Sequence, residues 1–275
     1  NETCAAIANA LWNHRLFLLT GDGKYLDVLE RTVYNGVLAG VSLSGDRFFY
    51  VNPLAADGVQ LFNKGHATRF PWTGCACCPV NIARFIPSVP GFAYATRGRS
   101  VFLGFYLPGT AEIKLEGTAV RLRQTTDYPW DGTIRVEVME GAGDWEMKLR
   151  VPGWAMGRPV PTDLYRLSGV QPPAPTIRVN GKDVAYDVDK GFAGVSRTWS
   201  RGDAVELVLP MPVCRVAAHE KVLANTGRTA LERGPLVYCV EGADHADGVS
   251  QVVLSPDAAL TPERRPGLLG GISVL

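Results

Sequence analysis

The chain has 275 residues, with 28 Lys and Arg against 27 Asp and Glu, for a formal net charge of +1. That balance supplies no basic field for nucleic acid or anionic lipid, and no apolar run reaches the ~18 residues of a membrane helix, so neither partner is expected. Hydrophobic residues at 46% and charged residues at 20% exclude wholesale disorder, and 30 Gly with 19 Pro imply many turns. The length exceeds the ~150 residues typical of one domain, so more than one is expected.

The first ninety or so residues carry helical patterns. Ile7, Ala8, Leu11, Trp12, Leu16 and Leu19 follow the 3.6 period, and Gly21 and Gly23 end that run. Tyr25, Leu26, Leu29, Val33 and Val37 then mark a second helix, stopped at Asn35-Gly36 or Gly40. A short Thr-Gly-Asp-Gly turn between them predicts an antiparallel helical hairpin. Residues 42–76 read as loop with short extended pieces such as Arg47–Val51. Pro79 suits the first turn of a further helix, which Pro87 and Pro90 stop.

Beyond Arg97 the period becomes two. Ile134, Val136 and Val138 alternate, as do Trp145, Met147, Leu149 and Val151, and later Val205, Leu207 and Leu209. Asn180-Gly181 is a strong hairpin signal, and Arg233-Gly234-Pro235 marks another turn. These elements predict an α+β chain. The expected domains are helices over 1–96, a first β-sandwich over 97–155, a linker with a second sandwich over 156–212, a return to the first over 213–250, and a tail over 251–275. Trp130, Trp145, Trp154 and Trp199 are expected to pack the sandwiches.

Six cysteines stand at 4, 75, 77, 78, 214 and 239. Cys214 and Cys239 sit alone in apolar strand contexts and read as buried thiols. The others crowd two places, Cys4 beside Glu2 and the run Cys75-Ala76-Cys77-Cys78. A disulfide framework fits poorly, because adjacent cysteines pair with difficulty and a chain this long has core enough without staples. Thiolates and a carboxylate suit zinc, although no common structural zinc spacing is present. Glu2 and Cys4 do not share a helical face, but they can converge where a loop becomes a helix, with Thr3 as its cap. A thiol redox protein is a further alternative, but it lacks the expected βαβ pattern.

Three segments carry a resemblance: Glu2-Thr3-Cys4-Ala5, Phe48-Phe49-Tyr50-Val51-Asn52-Pro53-Leu54, and Arg69 through Arg84 with its Cys77-Cys78-Pro79 core. Together they resemble the motifs of the β-L-arabinofuranosidases of glycoside hydrolase family 127 and the related family 146. Arg233–Tyr238 resembles the end of that family's β-sandwich region. The resemblance implies Zn2+ held by Glu2, Cys4, Cys77 and Cys78, with Cys77 also the nucleophile of a retaining glycosidase. It implies the last elements of an (α/α)6 barrel followed by β-sandwich lobes, and an arabinofuranose-containing glycan as substrate. Tyr50, His66, Arg69 and Trp72 are the candidate substrate-binding residues. The family's acid/base glutamate precedes the Glu-x-Cys motif. The chain starts at Asn1 without Met, and it is expected to be the C-terminal part of a longer protein. The alternative is a zinc-stabilised β-sandwich module that does no chemistry.

Overall fold

The computed structural model describes residues 1–71, 74, 76–245 and 248–275. Helix α1 spans Thr3–Thr20 and ends as its sequence demands. Gly21 takes a left-handed φ of 68°, and its N–H donates to Phe17 O at 2.7 Å. Helix α2 spans Lys24–Thr32 and runs on through a π-helical turn, Val33–Val37, and a 3-10 turn, Leu38–Gly40. Helix α3 spans Cys77–Phe85 and passes into a 3-10 segment, Ile86–Phe92, where Pro87 and Pro90 remove backbone donors.

The strands follow in order. They begin with β1 (Tyr94–Arg97), β2 (Ser100–Leu103), β3 (Gly109–Leu115), β4 (Thr118–Thr126), β5 (Thr133–Glu140) and β6 (Gly143–Arg150). Next come β7 (Tyr165–Ser168), β8 (Thr176–Val179), β9 (Lys182–Asp183), β10 (Val188–Asp189), β11 (Phe192–Trp199) and β12 (Ala204–Val208). The last are β13 (Val213–Ala218), β14 (Thr229–Arg233), β15 (Leu236–Tyr238), β16 (Glu263–Arg265) and β17 (Ile272–Val274).

One sheet runs β1-β2-β6-β11-β10 and a second runs β3-β4-β5-β12-β8-β9. Their facing side chains form one core, in which Val101, Leu103, Met147 and Leu149 of the first meet Ile134, Val136, Ile177 and Leu207 of the second. Within it the Trp145 and Trp199 rings stack 4.9 Å apart. The division into two sandwiches therefore does not hold. Strands from 176–208 lie beside β5 and β6 and complete a single sandwich. The segment 213–238 does not return to that sandwich; β13, β14 and β15 build a separate four-stranded sheet with β7, drawn from the expected linker. The expected tail carries the β16–β17 ribbon. Most pairs are antiparallel, but β2 runs parallel to β6, with Val101 opposite Met147.

The first sheet is covered on both faces. Phe102 and Phe192 point away from the sandwich core and pack with Leu26, Leu29, Val33 and Ile82 in a second cluster. An apolar helical stripe of Leu26, Leu29 and Val33 open to solvent is thus not found: all three are buried against the sheet, while Leu11 is 41% exposed. Polar groups fix this contact. Arg150, wholly buried at the end of β6, pairs with Asp27 at 2.9 Å and with Glu30. Tyr128 donates its hydroxyl to Glu30 Oε1 at 2.7 Å. Arg31 of α2 donates to both carboxylate oxygens of Glu232 on β14, at 2.7 and 2.8 Å, tying the helices to the third sheet as well.

Candidate metal centre

Local backbone geometry brings the chain's separated thiols together. Glu2 is extended (φ −92°, ψ 136°) and the helix starts at Thr3, so the loop-to-helix change turns Glu2 and Cys4 the same way. Thr3 is not the cap. It is 1% exposed, its N–H donates to Tyr50 O at 3.1 Å, and its hydroxyl donates to Phe49 O at 2.7 Å. Glu2 also forms an isolated antiparallel bridge with Val51, flanked by the Asn52 N–H donating to Asn1 O at 2.6 Å. Cys77 and Cys78 open α3, with Pro79 in its first turn, where a missing N–H costs nothing.

One ligand atom each from Glu2, Cys4, Cys77 and Cys78 lies within 4.8 Å of the others. The Cys77 and Cys78 sulfurs are 3.8 Å apart, and both thiols are free. A disulfide needs about 2.05 Å, whereas a tetrahedral centre with Zn–S near ~2.3 Å sets its sulfurs about 3.8 Å apart. The donor set fits zinc in number, type and spacing. Burial pushes the Cys78 thiol pKa up, and the adjoining Cys4 thiol adds to the shift. A divalent cation would reverse that preference by stabilising thiolates. Burial within the group is graded: Cys78 is closed to solvent, Glu2 and Cys4 are half-buried, and Cys77 is exposed.

The sugar-binding candidates are placed unevenly. Tyr50 stands beside the thiols, its carbonyl 4.0 Å from Cys78 Sγ, and Lys64 Nζ lies 4.0 Å from its ring centroid. His66 is exposed and stacks on Phe70 at 4.7 Å. Arg69 donates from Nε and Nη2 to Ala39 O at 2.9 and 2.8 Å and lies over the Phe49 ring, contacts that brace the loop. Burial lowers its pKa from the ordinary value. Trp72 and Cys75 lie outside the described residues.

Sequence reasoning overlooked two residues at this junction. Asn63 is fully buried and bonds four backbone groups of the 48–68 loop. Gly40 is buried against Thr3 and Ile82, leaving no room for a side chain. The Asn63-Lys64-Gly65-His66 turn signal could have drawn attention to the first.

The helical layer, the sandwich and the third sheet fall largely within three domains of one glycoside hydrolase family. Residues 1–91 match the family model for the GH127 β-L-arabinofuranosidase catalytic domain, 100–211 the GH127 middle domain, and 213–266 the family's C-terminal domain. The chain belongs to glycoside hydrolase family 127. It is 34% identical over 295 residues to a non-reducing end β-L-arabinofuranosidase of Bifidobacterium longum subsp. longum, covering all of this chain and 41% of that protein. A solved GH127 β-arabinofuranosidase superposes with a TM-score of 0.94 at 47% identity, over 99% of this chain and 42% of that one. A GH127 β-L-arabinofuranosidase from Geobacillus stearothermophilus T6 superposes with a TM-score of 0.87 at 39% identity, over 99% and 41%. The chain thus spans about two fifths of the length of these relatives.

Proposed function

We propose that this chain carries the nucleophile and metal centre of a zinc-dependent, retaining glycoside hydrolase acting on β-L-arabinofuranosides in arabinofuranose-containing glycans. The convergence of Glu2, Cys4, Cys77 and Cys78 within 4.8 Å of one another carries the reading, with Cys77 the exposed thiol of the set. Zinc held by the four would keep thiols of ordinary pKa ~8.5 as thiolates at neutral pH. Cys77 attacks the anomeric carbon as the bond to the leaving oxygen breaks. The leaving oxygen keeps that electron pair and takes a proton from a general acid. Water, deprotonated by the same group, then displaces the Cys77 sulfur, restoring the thiolate with net retention. Tyr50, beside the thiols through its backbone, is the candidate sugar-facing aromatic; His66, Arg69 and Trp72 are the further substrate-binding candidates.

On this reading, which the family resemblance supports, an acid/base glutamate precedes the Glu-x-Cys motif and α1, α2 and α3 are the last elements of an (α/α)6 barrel. Positioned acid/base help is worth ~10²–10⁴-fold, so these 275 residues alone should turn over slowly. The test is hydrolysis of an aryl β-L-arabinofuranoside by the purified chain and by a version extended upstream, with zinc titration and a Cys77→Ala control. Zinc-dependent turnover in the longer protein, abolished in the control, supports the reading. Zinc binding without turnover in either protein favours the non-catalytic module. Full turnover by the 275 residues alone shows that they supply their own acid.

A further inference from the structure

We propose that Asn63 is the positioning residue of the metal centre. Its side-chain amide holds the 48–51 segment against which Glu2 and Cys4 are docked onto Cys77 and Cys78. The inference rests on the metal reading above and assigns a role to a residue that is not a ligand.

Among the described residues the loop that faces the thiols carries isolated bridges, Phe48 with Val41 and with Phe70, rather than a regular strand. Asn63 adds the side-chain bonds that fix residues 50 and 51 beyond them. Its main chain pairs reciprocally with His66, at 2.8 and 3.1 Å, around Lys64 (φ 54°) and Gly65 (φ 89°), a tight two-residue turn with both central residues left-handed. That turn presents the Asn63 side chain, which has no solvent exposure, to four backbone groups. Nδ2 donates to Phe48 O at 3.1 Å and to Thr68 O at 2.9 Å. Oδ1 accepts from the Tyr50 and Val51 N–H groups at 2.8 and 3.2 Å. Two carbonyls on one side and two N–H groups on the other admit only one orientation of the amide, and every donor and acceptor site it uses is filled.

The backbone so held reaches the cluster directly. Tyr50 O accepts from Thr3 N and lies 4.0 Å from Cys78 Sγ. Phe49 O accepts from the Thr3 hydroxyl, and Val51 bridges Glu2. Thr3 is the residue between two of the ligands. Displacement of 49–51 therefore shifts the start of α1, with Glu2 and Cys4, against α3, even though Ile7 and Ala10 further along α1 share one core with Ile82. Groups that orient metal ligands without touching the metal change affinity by roughly 10–100-fold when removed.

The experiment compares zinc affinity, by chelator competition, and the cobalt(II) absorption spectrum in the wild-type protein, Asn63→Ala and Asn63→Asp. Asn63→Asp keeps the volume and both acceptor contacts but loses the two N–H donors. Val136→Ala, in the core of the sandwich, controls for a general loss of stability. The expected result is zinc binding weakened at least roughly 10-fold with an altered cobalt spectrum in both Asn63 variants, and wild-type behaviour in Val136→Ala. If only Asn63→Asp folds, its result alone decides. Wild-type affinity and spectrum in the Asn63 variants, or an equal loss in Val136→Ala, overturns the proposal while leaving the metal centre intact. A wild-type protein that holds no zinc overturns the metal reading and this inference with it.

Discussion

Arg150 on the sandwich and Glu30 on α2 form an ion pair with side chains 0% and 1% exposed, joining the helical layer to the β-layer out of contact with water. Asp27 takes the other arm of the guanidinium and also accepts from Gly153 N at 3.1 Å. Trp154 donates to Glu30 Oε2 at 3.4 Å. The candidate metal centre lies at the starts of α1 and α3, in the same helical layer that this joint fastens to the sheets.

Removing one partner strands the other as a buried charge. Glu30→Ala should destabilise the protein by about 3–5 kcal/mol, and Arg150→Met with Glu30→Leu and Asp27→Asn should recover much of that loss, because the desolvation of all three charges disappears together. Urea unfolding of the single and triple variants measures both. Equal destabilisation in the triple variant would contradict the account.

Asp27 gives the joint a pH dependence. Burial raises its pKa from 3.8 to about 6, against the opposing pull of Arg150. A carboxyl that titrates higher in the folded state holds its proton more tightly there. Its contribution is therefore fully present below about pH 4 and is lost as pH rises through about 6. Thermal unfolding between pH 4 and 7 should show this decline in the wild type, and Asp27→Asn should flatten it. An unchanged slope in the variant would assign the dependence to another group.

Gly40 tests the packing behind the cluster. A Cβ there would stand 2.7 Å from Thr3 Cγ2 and 3.1 Å from Ile82 Cδ1, between the two ligand-bearing helices. Gly40→Ala should cost about 1–3 kcal/mol through overpacking. Because Thr3 is the side chain that must yield, it should also weaken zinc binding, read by chelator competition. Gly91→Ala, whose Cβ meets nothing within 4 Å, is the comparison for zinc affinity.

Zinc itself should stabilise the fold. A ligand that binds only the native state, at 100 times its Kd, adds about 2.7 kcal/mol, so the melting temperature should rise with added zinc and fall with a chelator. Cys77 is exposed and should become reactive toward a thiol reagent when zinc is removed, while Cys78, closed to solvent, should react only on unfolding. A melting temperature indifferent to zinc would count against the site.

Much of this protein was legible from the sequence. The 3.6 period and Gly21 fixed α1, Asn180-Gly181 set the β8–β9 turn, and Arg233-Gly234-Pro235 set the β14–β15 turn, since each depends on local backbone preference. Thiols and a carboxylate in two short motifs made a metal cluster legible, but the choice of Glu2, Cys4, Cys77 and Cys78 without Cys75 came from the family resemblance. Which strands would pair was not legible. Alternation in β6 and β12 shows that each is half-buried but not what lies beside it, and only the assembled sheets placed β6 between β2 and β11 and made one sandwich where two were expected. Arg150 and Asn63 were hidden for the same reason. A guanidinium or an amide reads as surface in a sequence, and it becomes tolerable inside only when distant segments bring enough hydrogen-bonding partners to replace water.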